Sequence, residues 1–268
     1  ALDGQTIGLT VDQLLIEKNL NIDATSLAGG LTVTGGSVVR AFMIPPGRHA
    51  VITGLTVSGF DSDPVNGGAL RNEGNLDLNA CTLSGNQGLR GGAIYNDSFA
   101  RIGLTSCTIH DNVGLDDGGG IFNAGTAALE GCVISDSDSF NSGAGIYNDG
   151  ALSLVTCLVS SGSANGGGGG IYNTGSATFA RSTFSGNASD AGFGSGVVNS
   201  TGADLAATNC TFAGNLAVDD DGAGAGIFNG GLLSLNHCSV VGNGLDLAIA
   251  GGGIYNAPAG QLTLENSM

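Results

Sequence analysis

A phrase of the form Gly-Gly-Gly-Ile-Tyr-Asn, or a close variant, returns eight times and ends on Asn72, Asn96, Asn123, Asn148, Asn173, Asn199, Asn229 and Asn256. The intervals are 24, 27, 25, 25, 26, 30 and 27 residues. A unit this short cannot bury a hydrophobic face by itself, so successive units must stack into a solenoid. The chain is one structure repeated.

Two further columns keep step with the first. Cys81, Cys107, Cys132, Cys157, Ser182, Cys210, Cys238 and Ser267 each follow an asparagine of the phrase by nine or eleven residues. Five residues later stand Asn86, Asn112, Asn187, Asn215 and Asn243, with Ser137 and Gly162 in the remaining slots. Between these landmarks lie short alternating runs such as Leu76-Asp77-Leu78 and Leu152-Ser153-Leu154, which turn one apolar face inward at period two. Each period reads as three short strands joined by turns.

A helical repeat is excluded by the 50 glycines, each costing about 1 kcal/mol relative to alanine inside a helix. A propeller blade needs roughly 40 residues or more. The fold class that fits is all-β: a right-handed, single-stranded parallel β-helix of about ten coils, in which equivalent strands pair at about 4.8 Å. Residues 1–268 form one domain, with less regular coils over 1–66 and regular ones over 67–268. Ala50–Gly59 aligns without a gap on Leu76–Gly85, placing Leu55 in the cysteine slot. Leu20 is expected in that slot one coil earlier, with Pro45-Pro46-Gly47 absorbing the long interval between them.

The asparagines are expected to take a left-handed conformation at a sharp turn and to pass a hydrogen bond from coil to coil as a ladder. The cysteines read as small buried side chains at a tight corner. Their expected spacing is within disulfide range, although in-register parallel side chains rarely reach the required dihedral. No CxxC pair or Cys/His cluster points to a metal there.

The pairing of Gly67-Gly68-Ala69-Leu70 and Gly91-Gly92-Ala93-Ile94 with Phe184-Ser185-Gly186-Asn187 and Phe212-Ala213-Gly214-Asn215 resembles the GGA[ILV]/FxxN repeat of the polymorphic outer-membrane protein type, found in bacterial autotransporter passengers. Elsewhere the first element degenerates to forms such as Gly170-Ile171, and Leu83, Ile109, Ile134, Val159 and Val240 stand near the phenylalanine strand without reproducing its motif. The resemblance covers about residues 50–268 and implies an extracellular, cell-surface setting as an adhesin or structural protein. It implies no catalytic residues.

The formal net charge is −16 and Lys18 is the only lysine. A chain so acidic offers no basic footprint to nucleic acid or to anionic headgroups. No signal peptide is visible, and no run of about 18 apolar residues could span a bilayer. The chain opens in mid-pattern and ends on the last cysteine slot without visible caps, which suggests a trimmed piece of something longer or ends covered by partners. The expected partners are other envelope or surface proteins, glycans, or further copies joined side by side or end to end.

Two surfaces are candidates for contact. The residues before the ladder asparagines, Tyr95, Phe122, Tyr147, Tyr172, Phe228 and Tyr255, form an outward aromatic stripe if the isoleucines beside them point inward. The reverse phase would stack the aromatics inside. Loop length grows along one edge, where Asp116, Asp117, Asp136, Asp138, Asp219, Asp220 and Asp221 gather, with Asp111, Asp190 and Asp246. These acids could hold calcium or could be a solvated edge that keeps the stack soluble. Calcium is the one cofactor they suggest.

Large β-helices also serve as polysaccharide lyases and hydrolases, which need convergent acids or an arginine or lysine base. Arg71, Arg90, Arg101 and Arg181, and the histidines His49, His110 and His237, look dispersed among coils. His237 occupies a slot filled elsewhere by Ala80, Ser106, Gly131, Thr156 or Asn209 and reads as surface decoration. The expectation is a non-catalytic adhesion or envelope-structural module, with a polysaccharide-active enzyme as the alternative.

Overall fold

Strand alternation decides which side chains meet inside the coil, and the repeat decides which meet above and below it. The computed structural model describes residues 2–36, 40–190, 193–218, 223–245 and 252–268. Every strand pairs in parallel with its equivalents in neighbouring coils, producing a β-solenoid with three walls ten strands deep and a fourth of seven strands.

The asparagine wall runs from Leu14–Leu15 to Ile254–Asn256 and contains the Ile-Tyr-Asn strands. The long wall runs from Leu20–Asp23 to Gln261–Glu265, mostly in five-residue strands. A third wall, from Gln5–Gly8 to Ser239–Val241, follows the cysteine corner. The fourth, from Gln87–Gly88 to Gly244–Leu245, has two residues per strand. Three strands per coil were expected, and this fourth is additional: two residues carry too little alternation to announce a strand.

The core is a set of stacked columns. Leu76 and Leu78, Ile102 and Leu104, and Leu152 and Leu154 point inward from the long wall, each at most 3% exposed. Ile94, Ile121, Ile146 and Ile171 are fully buried opposite them. Phe184 and Phe212, from the FxxN motifs, stack in the interior with centroids 4.9 Å apart. Register is continuous: Ile94 pairs with Leu70 below and Ile121 above, and Asn96 with Asn72 and Asn123.

The N-terminal coils obey the same register, with one shift from expectation. Leu55 does occupy the cysteine slot, since Thr56 pairs with Thr82. Leu20, however, pairs with Ala50 at the start of the long wall, and Leu31 fills the earlier cysteine slot by pairing with Leu55. Both leucines lead an alternating run, so the apolar pattern alone does not distinguish them.

The turns divide the conformational work differently from what was expected. No ladder asparagine has a positive φ; the left-handed residues other than glycine stand at two other corners. One corner precedes the cysteines and holds Ala80, Ser106, Thr156, Arg181, Asn209 and His237 at φ between 48° and 57°. The other precedes the second asparagine column and holds Asp111, Asp136 and Ser161 at 51° to 55°. His237 therefore occupies a corner defined by backbone conformation. Glycine is required at the entry to the asparagine wall, where Gly91 has φ +68° and a Cβ on Gly92 would collide with the carbonyls of Gly119 and Val113. No helix among the described residues is long and apolar enough to cross a membrane.

Candidate functional site

The asparagine at the end of each Ile-Tyr-Asn strand points inward and is fully buried from Asn72 to Asn229. Each Nδ2 donates to the Oδ1 of the next coil at 2.7–2.9 Å, in seven consecutive links from Asn72 to Asn256. The same nitrogen reaches a carbonyl of the long wall one coil on, as from Asn148 to Ser176 at 3.1 Å. The ladder thus joins two walls as well as successive coils. It is a structural device.

One residue earlier the side chain must face outward, and the aromatics do. Tyr95, Phe122, Tyr147 and Tyr172 form a continuous stack with centroids 5.1–5.4 Å apart and planes within 8° of parallel. Val198 interrupts the stack, and it resumes with Phe228 over Tyr255 at 5.5 Å. Arg71 covers the open face of Tyr95 at 5.6 Å, and Arg90 lies over Phe122 at 5.3 Å. The rings occupy one another's faces, so that Tyr95, Tyr147 and Tyr172 are half-buried on the outward side of the wall. Phe122 is only 4% exposed. Burial, with Asp117 adding to it, pushes the Tyr147 phenol up to about 12.

The candidate calcium acids separate into two places. Asp116 accepts from Arg90 Nε at 2.8 Å, while Asp117 accepts from Asn141 Nδ2 at 3.0 Å and from the Ser142 amide at 3.3 Å. Burial, reinforced by Asp116, raises Asp117 to about 6. Asp136 sits at a left-handed corner beside Asp138, whose carboxyl is raised by burial and then by Asp111 and Asp136. Asp219, Asp220, Asp221 and Asp246 lie outside the described residues. Among the described residues no group of three or more His, Cys, Asp or Glu side chains converges as a metal site.

Register creates a cluster that linear reading disperses. His49, Asn75 and Arg101 occupy one column of the long wall, and Asp77 stands two residues beyond Asn75 on the same outward face. Asp77 takes His49 Nε2 at 2.8 Å on one oxygen and Arg101 at 3.7 Å on the other. Asp77 and Arg101 line a shallow groove of about 400 Å³ with Asn79, Thr105 and Glu130 on its walls. The available signal was the 26-residue step shared by His49, Asn75 and Arg101, which exceeds no loop and needs no gap.

The cysteine column is buried and its thiols are free. Cys107 Sγ lies 3.4 Å from the carbonyls of Leu78 and Thr105, and Cys132 Sγ makes the equivalent pair with Leu104 and Glu130. These two thiols therefore span their own strand end and the coil below. Burial pushes the Cys210 thiol up to about 11, which disfavours the nucleophilic thiolate.

The family model described as "Right handed beta helix region" matches residues 93–267. No curated protein matches the chain, and no solved structure does. The hand of the coil, its parallel register and its unbroken asparagine column belong together: this chain is a member of the right-handed β-helix family.

Proposed function

We propose that the chain is a non-catalytic, extracellular β-helix module that serves in adhesion or envelope structure. The observation that carries this reading is the column organisation of the repeat. Asparagine amides, aromatic rings and thiols each bond or stack with the equivalent or neighbouring group of the next coil. Such cohesion yields a stiff rod whose outward groups repeat at about 4.8 Å. The resemblance to surface repeats and the acidic charge of −16 agree with display outside a cell.

The aromatic column is the contact surface in this reading, and its geometry favours a protein partner over a stacked sugar. Sugar recognition would need open ring faces, whereas these faces are closed by neighbouring rings or by Arg71. Ring edges and phenol hydroxyls instead suit a polar and apolar strip on another envelope protein or a second copy. Crosslinking and size measurement of the purified chain with envelope fractions should recover a complex that Tyr147→Ala and Tyr172→Ala weaken together. A strictly monomeric chain indifferent to those changes would remove the proposal.

The second reading, a polysaccharide-active enzyme, is favoured by the groove holding Asp77, Arg101 and Glu130, with His49 bonded to Asp77 beside it. It requires release of reducing ends or unsaturated uronates from acidic polysaccharides, lost on Asp77→Asn. The pairing of Asp77 with both His49 and Arg101 gives it a structural occupation already.

A further inference from the structure

The strand after each cysteine buries its central residue and turns the two flanking residues outward. On the third wall those outward residues form two ranks. Thr32, Thr56, Thr82 and Thr108 stand in one rank, each paired with the next in register. Thr34, Ser58 and Ser84 stand beside them in the other. Val133 and Leu158 interrupt the first rank while Ser135 and Ser160 continue the second; Thr183, Thr211 and Ser239 resume the first, and the second ends at Ser185, followed by Ala213 and Val241.

The ranks form a two-dimensional lattice. Equivalent hydroxyls repeat at about 4.8 Å along the stack, and the two ranks lie about 6.6 Å apart, two residues along a strand. Register is kept from strand to strand across the ten, and the Phe184–Phe212 stack lies on the inner side of the same wall. Each of these threonines and serines is half-buried, flanking the buried central residue of its strand. Within the two ranks and among the described residues, His110, bonded to Asp111, is the one side chain with a hydrogen-bond partner in the chain. The hydroxyls are left for something outside it.

Charge narrows what that can be. Neither rank contains Asp, Glu, Lys or Arg, on a chain whose net charge is −16. A neutral face on an acidic molecule complements a neutral occupant, and basic proteins would be drawn to the acidic edges instead. The face also lacks aromatic rings, so it offers no stacking platform for a sugar. What remains is a regular array of donors, acceptors and threonine methyl groups at fixed spacing, whose hydroxyls can each bind a bridging water.

We propose that this face binds ice. A surface water layer already held at a period close to that of the crystal can join the lattice, and the rigid coil keeps many such positions in step at once. This function is independent of the aromatic column and would stand or fall apart from it.

The test uses the purified chain in a slowly growing ice hemisphere and in a supercooled droplet with a seed crystal. The chain should enter the ice phase and halt growth with faceted crystals. Thr82→Tyr and, separately, Thr56→Lys should be excluded from ice like an ordinary solute, with unchanged thermal melting by circular dichroism. Thr178→Tyr, on the outward face of the long wall, should partition as the parent does. Exclusion of the parent chain would overturn the proposal. So would array variants that partition fully, or capture by powdered crystalline polysaccharide through Thr82 in place of ice.

Discussion

The two asparagine columns lie at different turns of the same coil, and they tolerate different things. The first column is unbroken from Asn72 to Asn256, whereas the second gives way to Ser137 and Gly162 between Asn112 and Asn187. In the second, the recurring bond runs from a backbone amide to the side-chain oxygen one coil on, as from the Asn187 amide to Asn215 Oδ1 at 3.0 Å. A hydroxyl can accept there, and Ser137 Oγ lies 3.5 Å from the Asn112 amide. Second-column asparagines also donate, as from Asn187 Nδ2 to Asn215 Oδ1 at 2.9 Å, but in the first column every side chain from Asn72 to Asn229 donates both to the next asparagine and to a carbonyl of the long wall, which serine cannot reproduce. Asparagine is kept at every coil where its amide ties the asparagine wall to the long wall as well as to the next coil.

The sharpest way to break that distinction is Asn148→Ala. The change removes the bonds to Asn173 at 2.7 Å and Ser176 at 3.1 Å, and deprives Asn123 of its acceptor at 2.7 Å. Buried donors and acceptors left without partners predict a loss of about 3 kcal/mol, read from the denaturation midpoint. An equal loss for Asn112→Ala would mean that the two columns do the same work.

The loop edge next to the aromatic column supplies the second test. Asp117 is 8% exposed at its side chain and has its folded pKa raised from the usual 3.8 to about 6, chiefly by burial. A raised acid pKa means that the folded state binds the extra proton. Stability therefore increases as pH falls from about 6 toward 3.8, and the ionised carboxylate weakens the fold above that window. Asp117→Asn keeps the oxygen that accepts from Ser142 and Asn141. It should stabilise the chain by about 1–2 kcal/mol at pH 7, with the difference from the parent vanishing near pH 4. A difference independent of pH would show that Asp117 is solvated like an ordinary loop acid.

These contrasts also show which parts of the structure are written in one dimension. The ladder, the Ile core and the cysteine corner each use the same residue type coil after coil, so counting intervals finds them. Conformation is less visible: Ala80, Thr156 and His237 share a left-handed corner but no chemistry, and the asparagines that seemed suited to it do not use it. The His49–Asp77–Arg101 group and the threonine ranks need register as well as spacing, because their meaning lies between coils. The Thr-x-Ser phrase after Cys81 and the Thr-x-His phrase after Cys107 were nonetheless present as signals. The inward residue between them is fixed by the core, whereas its outward neighbours show their order only when coils are set in register.

Asn112→Ser sharpens the first comparison at smaller amplitude. It keeps an acceptor for the Asn86 amide, now bonded at 3.0 Å, but loses the donor bonds to Leu83 and His110 at 3.0 and 2.9 Å. The expected loss is about 1 kcal/mol, clearly below that of Asn148→Ser. Reversal of that order would place the need for asparagine in the second turn.

The smallest effect tests the corner that uses no asparagine column at all. Thr156 holds φ 57°, a region disfavoured for a β-branched residue, while Gly131 fills the same slot one coil below at φ 61°. Thr156→Gly relieves the native conformation but gives the unfolded chain more freedom, so the two effects oppose each other. Removing the Cβ clash is worth about 1–2 kcal/mol, and the added entropy of glycine offsets about 0.5–1 kcal/mol. A net gain of about 0.5–1 kcal/mol should follow, whereas Gly131→Thr should lose a similar amount. If both substitutions destabilise, the threonine must make a compensating contact, and the corner would resemble the first asparagine turn in depending on its side chain as well as its backbone.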